Sequence, residues 1–348
     1  MKYGFINVAA AVPVIKVADV DYNVQQIESL VAQAEGKGVE ILVMPELCIT
    51  GYSCQDLFRE QLLLDKSEEG IIQLLDFTRK LDTILVVGAP VLVNSLLYNC
   101  AVVIQRGQIL GVVPKTYLPN YGEFYEKRWF ASAQDLNHTD IYLAGSPVHV
   151  SSEPLLFTTC DGVKFGVEIC EDVWAPIPPS NNLALAGADI IVNLSASDEL
   201  IGKHDYLRTL LSQQSARTIS GYVYASCGFG ESTQDVVYGG TLMVFENGKL
   251  LAEGERFTLQ PQIQICQVDI EKLRTERRQN TTFINAQRGA HGTGPHRMQG
   301  QKPRLQALPA QRIVPGRQRK PHRRFSARQK TYPKGLARHR TRHRKRRR

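Results

Sequence analysis

Three widely separated residues have side chains that act together in covalent catalysis: Glu46 in Met44-Pro45-Glu46-Leu47, Lys115 in Val113-Pro114-Lys115-Thr116-Tyr117, and Cys170 in Gly166-Val167-Glu168-Ile169-Cys170-Glu171-Asp172-Val173-Trp174. Each follows an apolar run, where a strand gives way to a polar loop. A thiol, a carboxylate and an ammonium are what amide hydrolysis through a thioester requires. Cysteine attacks, a base takes its proton, and a cation steadies the developing oxyanion. A free thiol with a pKa of about 8.5 needs such neighbours to react at neutral pH. Glu123, eight residues after Lys115, offers a second carboxylate that could hold the lysine or the leaving amine. Each residue alone reads as an ordinary loop side chain or a small buried hydrophobe, so the spacing is only suggestive.

The elements that position them alternate. Gly38–Met44, Thr83–Gly88, Val163–Ile169 and Ala188–Asn193 each read as a buried strand. Cys100–Ile104 turns through Arg106-Gly107 into Ile109–Val113, and Thr241–Phe245 turns through Asn247-Gly248 into Lys249–Ala252. Asn-Gly is a strong hairpin signal because both central positions of the turn need a positive φ. Asp21–Lys37 and Tyr206–Ile219 carry apolar residues at helical spacing. Helices alternating with strands, with antiparallel hairpins added, predict an α/β fold of mixed sheets covered by helices.

Charge divides the chain. Up to Gln287 there are 21 Lys and Arg against 34 Asp and Glu, a balance of −13. From Arg288 to Arg348 there are 21 Lys and Arg and no acid. Leu, Ile, Val and Phe make up only 6 of those last 61 residues, too few to bury a core, so the tail is expected to be disordered. A hydrolase domain over 1–270, a linker-like segment over 271–287 and a basic tail over 288–348 are therefore expected. No apolar run is long enough to cross a bilayer, and the start lacks the pattern of a signal peptide. Seven scattered cysteines without a Cys-x-x-Cys pair favour neither disulfides nor zinc, and a cytoplasmic location is expected.

The order Glu…Lys…Cys in these surroundings resembles the nitrilase, or carbon–nitrogen hydrolase, superfamily. The words are most similar to the glutaminase domain of glutamine-dependent NAD synthetases. They are Pro45-Glu46-Leu47 with Thr50-Gly51-Tyr52, Pro114 to Tyr121 with Glu123-Phe124-Tyr125-Glu126, Glu168 to Trp174, and Asn193-Leu194-Ser195-Ala196-Ser197. Gly230-Glu231-Ser232-Thr233-Gln234-Asp235 and Leu273 to Arg278 extend the match, which covers roughly 1–287. The resemblance implies an α-β-β-α sandwich. It makes Glu46 the general base, Lys115 the cation on the tetrahedral intermediate and Cys170 the nucleophile. Positions matching Tyr121, Phe124, Glu171, Trp174, Ser197 and Lys203 would contact or shape a glutamine site, Glu171 and Lys203 facing the α-ammonium and α-carboxylate. It implies no cofactor or metal for this domain. ATP and Mg belong to the complete synthetase, whose Ser-Gly-Gly-x-Asp-Ser loop does not occur here, so the synthetase domain is expected to be missing and NAD formation is not expected of this chain. A homo-oligomer formed through the sandwich is expected, with no membrane partner.

Two accounts of the tail stand beside this. A basic arm would bind nucleic acid non-specifically through phosphates, with strong salt dependence. A shift of reading frame near Gln287 instead accounts for the loss of every acid at the end of the linker-like segment, and the synthetase motif in another frame of the downstream DNA would identify it. The competing functions are a stand-alone amidase or carbamoylase acting on another small amide, and a non-catalytic fragment whose tail binds nucleic acid.

Overall fold

A computed structural model describes residues 3–137 and 139–290, together with the backbone of 307–309. The first half of the chain builds one sheet and its covering helices. Its strands are β1 (Phe5–Val12), β2 (Ile41–Val43), β3 (Ile84–Val93), β4 (Leu96–Gln105) and β5 (Gln108–Pro114), and its helices are α1 (Val20–Gly36) and α2 (Gln61–Thr78). A surface hairpin follows, β6 (Thr139–Leu143) with β7 (Ser146–Val150). The second half adds β8 (Leu156–Thr158), β9 (Lys164–Ile169), α3 (Pro179–Leu185), β10 (Ile190–Ser195), α4 (Lys203–Thr218), β11 (Gly221–Ser226), β12 (Leu242–Glu246) and β13 (Lys249–Glu253). The chain then returns through β14 (Gln262–Asp269), followed by α5 (Ile270–Gln279), α6 (Thr281–Ala290) and the short β15 (Ala307–Pro309).

The sheets run β14-β1-β2-β3-β4-β5 and β13-β12-β11-β10-β9-β8-β15. Their parallel centres, β1-β2-β3 and β9-β10-β11, are apolar on both faces because each is covered twice. One face of each sheet meets the other, joining Ile6, Val8 and Ala10 to Phe165, Val167 and Val192 in a shared core. The outer face of the first sheet packs on α1 and α2 through Val24, Ile27, Leu30, Ile71 and Leu74. That of the second packs beneath α3 and α4 through Leu183, Leu207, Leu211 and Tyr222. The result is the four-layer α-β-β-α sandwich that the resemblance implies.

Both expected hairpins form. Asn247 (φ 45°) and Gly248 (φ 85°) occupy the left-handed positions that an Asn-Gly turn uses. The segment 271–287, expected to be linker-like, is helical and docked. Arg277 is buried, its guanidinium donating to the carbonyls of Ala188, Thr218 and Ile219, and it stacks over the Phe283 ring at 5.0 Å. The described residues belong to one compact unit. The disorder expected of 288–348 falls largely outside the described residues, although α6 runs to Ala290 and Ala307–Pro309 pairs in parallel with β8.

Candidate active site

Glu46 lies just beyond β2, Lys115 directly after β5 and Cys170 directly after β9, so all three stand at the ends of strands in the two facing sheets. Lys115 has no exposed surface. Its Nζ donates to Glu46 Oε1 at 2.6 Å and to both oxygens of Glu126, at 2.7 and 2.9 Å. Burial opposes the ammonium, but Glu126 and Glu46 outweigh it and hold the lysine well above its usual pKa. Asn99 Nδ2, from the middle of β4, donates to the same Glu46 oxygen at 2.6 Å. Glu46 Oε2 has no partner among the described residues, so one oxygen of a buried carboxylate is left available for a proton. The Cys170 thiol is buried, and burial raises its pKa. Glu46 raises it further, Lys115 works the other way, and Ser195 offers it a hydrogen bond. Burial and the Glu46 carboxylate thus both favour the protonated thiol.

Backbone geometry fixes these groups. Cys170 sits at φ 45°, a left-handed conformation unusual for a residue with a side chain, at the start of a 3₁₀ turn over Cys170–Trp174. Its amide donates to Asn193 Oδ1 at 3.2 Å, Asn193 Nδ2 donates to the Tyr222 hydroxyl at 3.1 Å, and that hydroxyl donates to buried Glu168. Asp172 joins this turn to the lysine's segment. One oxygen accepts from the Thr116 and Tyr117 amides at 3.1 and 2.8 Å, and the other from the Ile169 amide at 2.9 Å. On the far side, Glu231 accepts from the Tyr52 and Ser53 amides at 2.8 and 3.0 Å, and the Tyr52 hydroxyl donates to Glu126 at 2.7 Å.

The second carboxylate on Lys115 is therefore Glu126. Glu123 is not among the lysine's partners; it lines a neighbouring cleft with Tyr52, Phe124, Tyr125 and Trp129. The two glutamates differ because a 3₁₀ turn over Glu126–Arg128 turns Glu126 inward, its amide donating to Pro119 O at 3.1 Å. Glu126 stood within the motif, but no spacing rule distinguishes it from Glu123. Asn99 left a weak trace in the sequence as a polar residue interrupting an apolar strand.

The expected binding residues converge. Tyr121 donates through its hydroxyl to Glu171 at 2.7 Å, and its ring meets Phe124 edge-on at 6.5 Å. Lys203 Nζ lies 5.7 Å from the Phe124 ring centre and 5.5 Å from that of Trp174, which stacks on Tyr206. Ser197, its amide donating to Ser226 Oγ at 3.1 Å, shares a small polar pocket with Lys203 and Asp198. Burial raises the Glu171 carboxyl above its usual value, against the pull of the Tyr121 hydroxyl.

Residues 7–278 match the sequence model of the carbon–nitrogen hydrolases. The chain belongs to the carbon–nitrogen hydrolase family. This carbon–nitrogen hydrolase is 41% identical over 289 residues to the glutamine-dependent NAD(+) synthetase of Mycobacterium tuberculosis (strain ATCC 25618 / H37Rv), covering 82% of the chain and 42% of that protein. It is 30% identical over 267 residues to the Rattus norvegicus protein of the same name, covering 74% of the chain and 37% of that protein. The chain thus spans well under half the length of these relatives. Among solved structures, a glutamine-dependent NAD(+) synthetase from Cytophaga hutchinsonii superposes with a TM-score of 0.68 at 27% identity, over 76% of this chain and 43% of that one. An amidase from Nesterenkonia sp. superposes at 0.61 with 18% identity, over 80% of this chain and 96% of that one, and shares the fold.

Proposed function

We propose that this hydrolase releases ammonia from the side-chain amide of glutamine through a thioester on Cys170. The observation that carries the reading is the buried lysine held by two carboxylates beside a buried thiol, with one oxygen of Glu46 unpartnered. In the first half-reaction Glu46 takes the Cys170 proton as sulfur attacks the amide carbon. Lys115 faces the oxygen that gains charge, in a water-poor site where such a contact is strong. Glu46 returns the proton to the leaving nitrogen, the carbon–nitrogen bond breaks, and ammonia departs. Water then attacks the thioester, gives its proton to Glu46, and glutamate leaves as the thiol is restored. Glu126 keeps Lys115 charged and in place.

Glu171 and Lys203 supply opposite charges for an amino-acid head group, and Tyr121, Phe124, Trp174 and Ser197 wall it. This arrangement favours glutamine over an uncharged small amide. The released ammonia is read as serving NAD synthesis, the activity in the relatives' names. Ammonia release from glutamine by the full chain, compared with a panel of other primary amides, tests the reading. Release should be highest with glutamine and fall to background in Cys170→Ala. A preference for another amide, or release that survives the substitution, would reject it.

A further inference from the structure

Lys203 does not stand alone in the pocket. Its ammonium forms an ion pair with Asp198 Oδ1. The lysine side chain is 20% exposed and that of Asp198 only 1%. Asp198 is itself rigidly carried, since its backbone bridges to Tyr238 and the next amide, of Glu199, donates to Val237 O at 2.8 Å. Its second oxygen, Oδ2, is buried with no partner among the described residues. A buried carboxylate with half its acceptors idle is costly, which directs attention to the one bond it makes. A lysine is a point charge on a flexible stem, and two aromatic faces at 5.5 and 5.7 Å bound its position without fixing it. Asp198 supplies the fixed end.

We infer that Asp198 is the positioning residue that aims the Lys203 ammonium at the carboxylate of the substrate, and so makes an α-carboxylate a requirement of this site. The inference rests on the glutamine reading above. With one of its three N–H donors on Asp198, Lys203 keeps two for an incoming anion. A lysine bridging a resident carboxylate and a substrate carboxylate would repeat the arrangement of Lys115 between Glu46 and Glu126. Without Asp198 the ammonium would swing toward solvent, and the anion would meet it only part of the time.

The test compares steady-state hydrolysis of L-glutamine with that of 4-aminobutanamide, which has the same skeleton without the carboxylate. In Asp198→Ala the KM for glutamine should rise about tenfold, the scale of a hydrogen bond to a charged group, with kcat within about twofold. The KM for 4-aminobutanamide should not move. In a Lys203→Ala background, Asp198→Ala should add nothing to the glutamine KM, because the two residues act as one. Asp198→Asn, which keeps the shape, replaces the alanine variant if circular dichroism shows that one to be unfolded, with the same expected direction. An unchanged or lower glutamine KM, an equal rise for both amides, or additive effects in the double variant would overturn the inference. A wild-type protein with no preference for glutamine over 4-aminobutanamide would instead overturn the glutamine reading, and this inference with it.

Discussion

A buried lysine between two carboxylates stays charged only while at least one of them is ionised. Glu126 sets that condition. Burial pushes its carboxyl up from 4.5 to about 7, against Lys115, which pulls it down. As pH falls through about 7, Glu126 takes a proton and Lys115 is left to Glu46 alone, which ties up the proposed base. The rate should therefore fall on the acid side with an inflection near 7 in a kcat–pH profile, and Glu126→Gln should remove that inflection. The same substitution should lower kcat by about a hundredfold, the lower end of acid–base effects, whereas Glu123→Gln should stay within about twofold. The stability term has the opposite sense. Between about 4.5 and 7 the folded protein holds a proton that the unfolded chain has released, so this group's contribution declines as pH rises through that window. At this scale the sequence was informative about placement: Glu46, Lys115 and Cys170 each follow an apolar run, and each stands at the end of a strand. It was silent where a short turn chose between two nearby glutamates.

Strand ends bring the reactive groups together, and a few close approaches between elements decide whether they meet. Gly88 in β3 passes directly under the turn that carries Glu46. A Cβ there would lie 2.2 Å from the Leu47 amide nitrogen and 2.7 Å from the Pro45 carbonyl oxygen, both backbone atoms that cannot swing aside. Gly88→Ala should destabilise the protein by about 1–3 kcal/mol, as overpacking does, and remove most of the activity by displacing Glu46. Urea unfolding and glutaminase assays on the folded fraction measure the two effects separately. A loss of stability well below about 1 kcal/mol would mean that the turn moves freely. The apolar runs and the Asn-Gly turn made these strands legible beforehand, because burial on both faces leaves a continuous hydrophobic signal. The cross-links by Asp172 and Glu231 were not legible, since each joins segments far apart in sequence through backbone amides.

Across the whole molecule, the sheets share one core and the last described helices close one end of it. Arg277 is the fastener: three carbonyls from the end of α4 and the approaches to β10 converge on its guanidinium. Burial lowers it to about 10, still high enough to remain charged at neutral pH. Arg277→Ala would leave those carbonyls without their donor and should cost about 3 kcal/mol, read as a lower urea midpoint, with the KM for glutamine unchanged in the folded fraction. The linker-like character of this stretch comes from its run of charges, which gives no sign that Arg277 faces inward. The α/β layering, by contrast, followed directly from alternating periodicities.

The burial of Cys170 also sets how this protein responds to thiol reagents. Cys160 is exposed, while Cys48, Cys54, Cys100, Cys170 and Cys227 are buried. A bulky aromatic disulfide should therefore modify Cys160 first and leave glutamine hydrolysis intact, so the most readily labelled sulfur is not the proposed nucleophile. Only an electrophile shaped like the substrate, carried past Tyr121 and Phe124, should inactivate the enzyme, and glutamine should slow that inactivation.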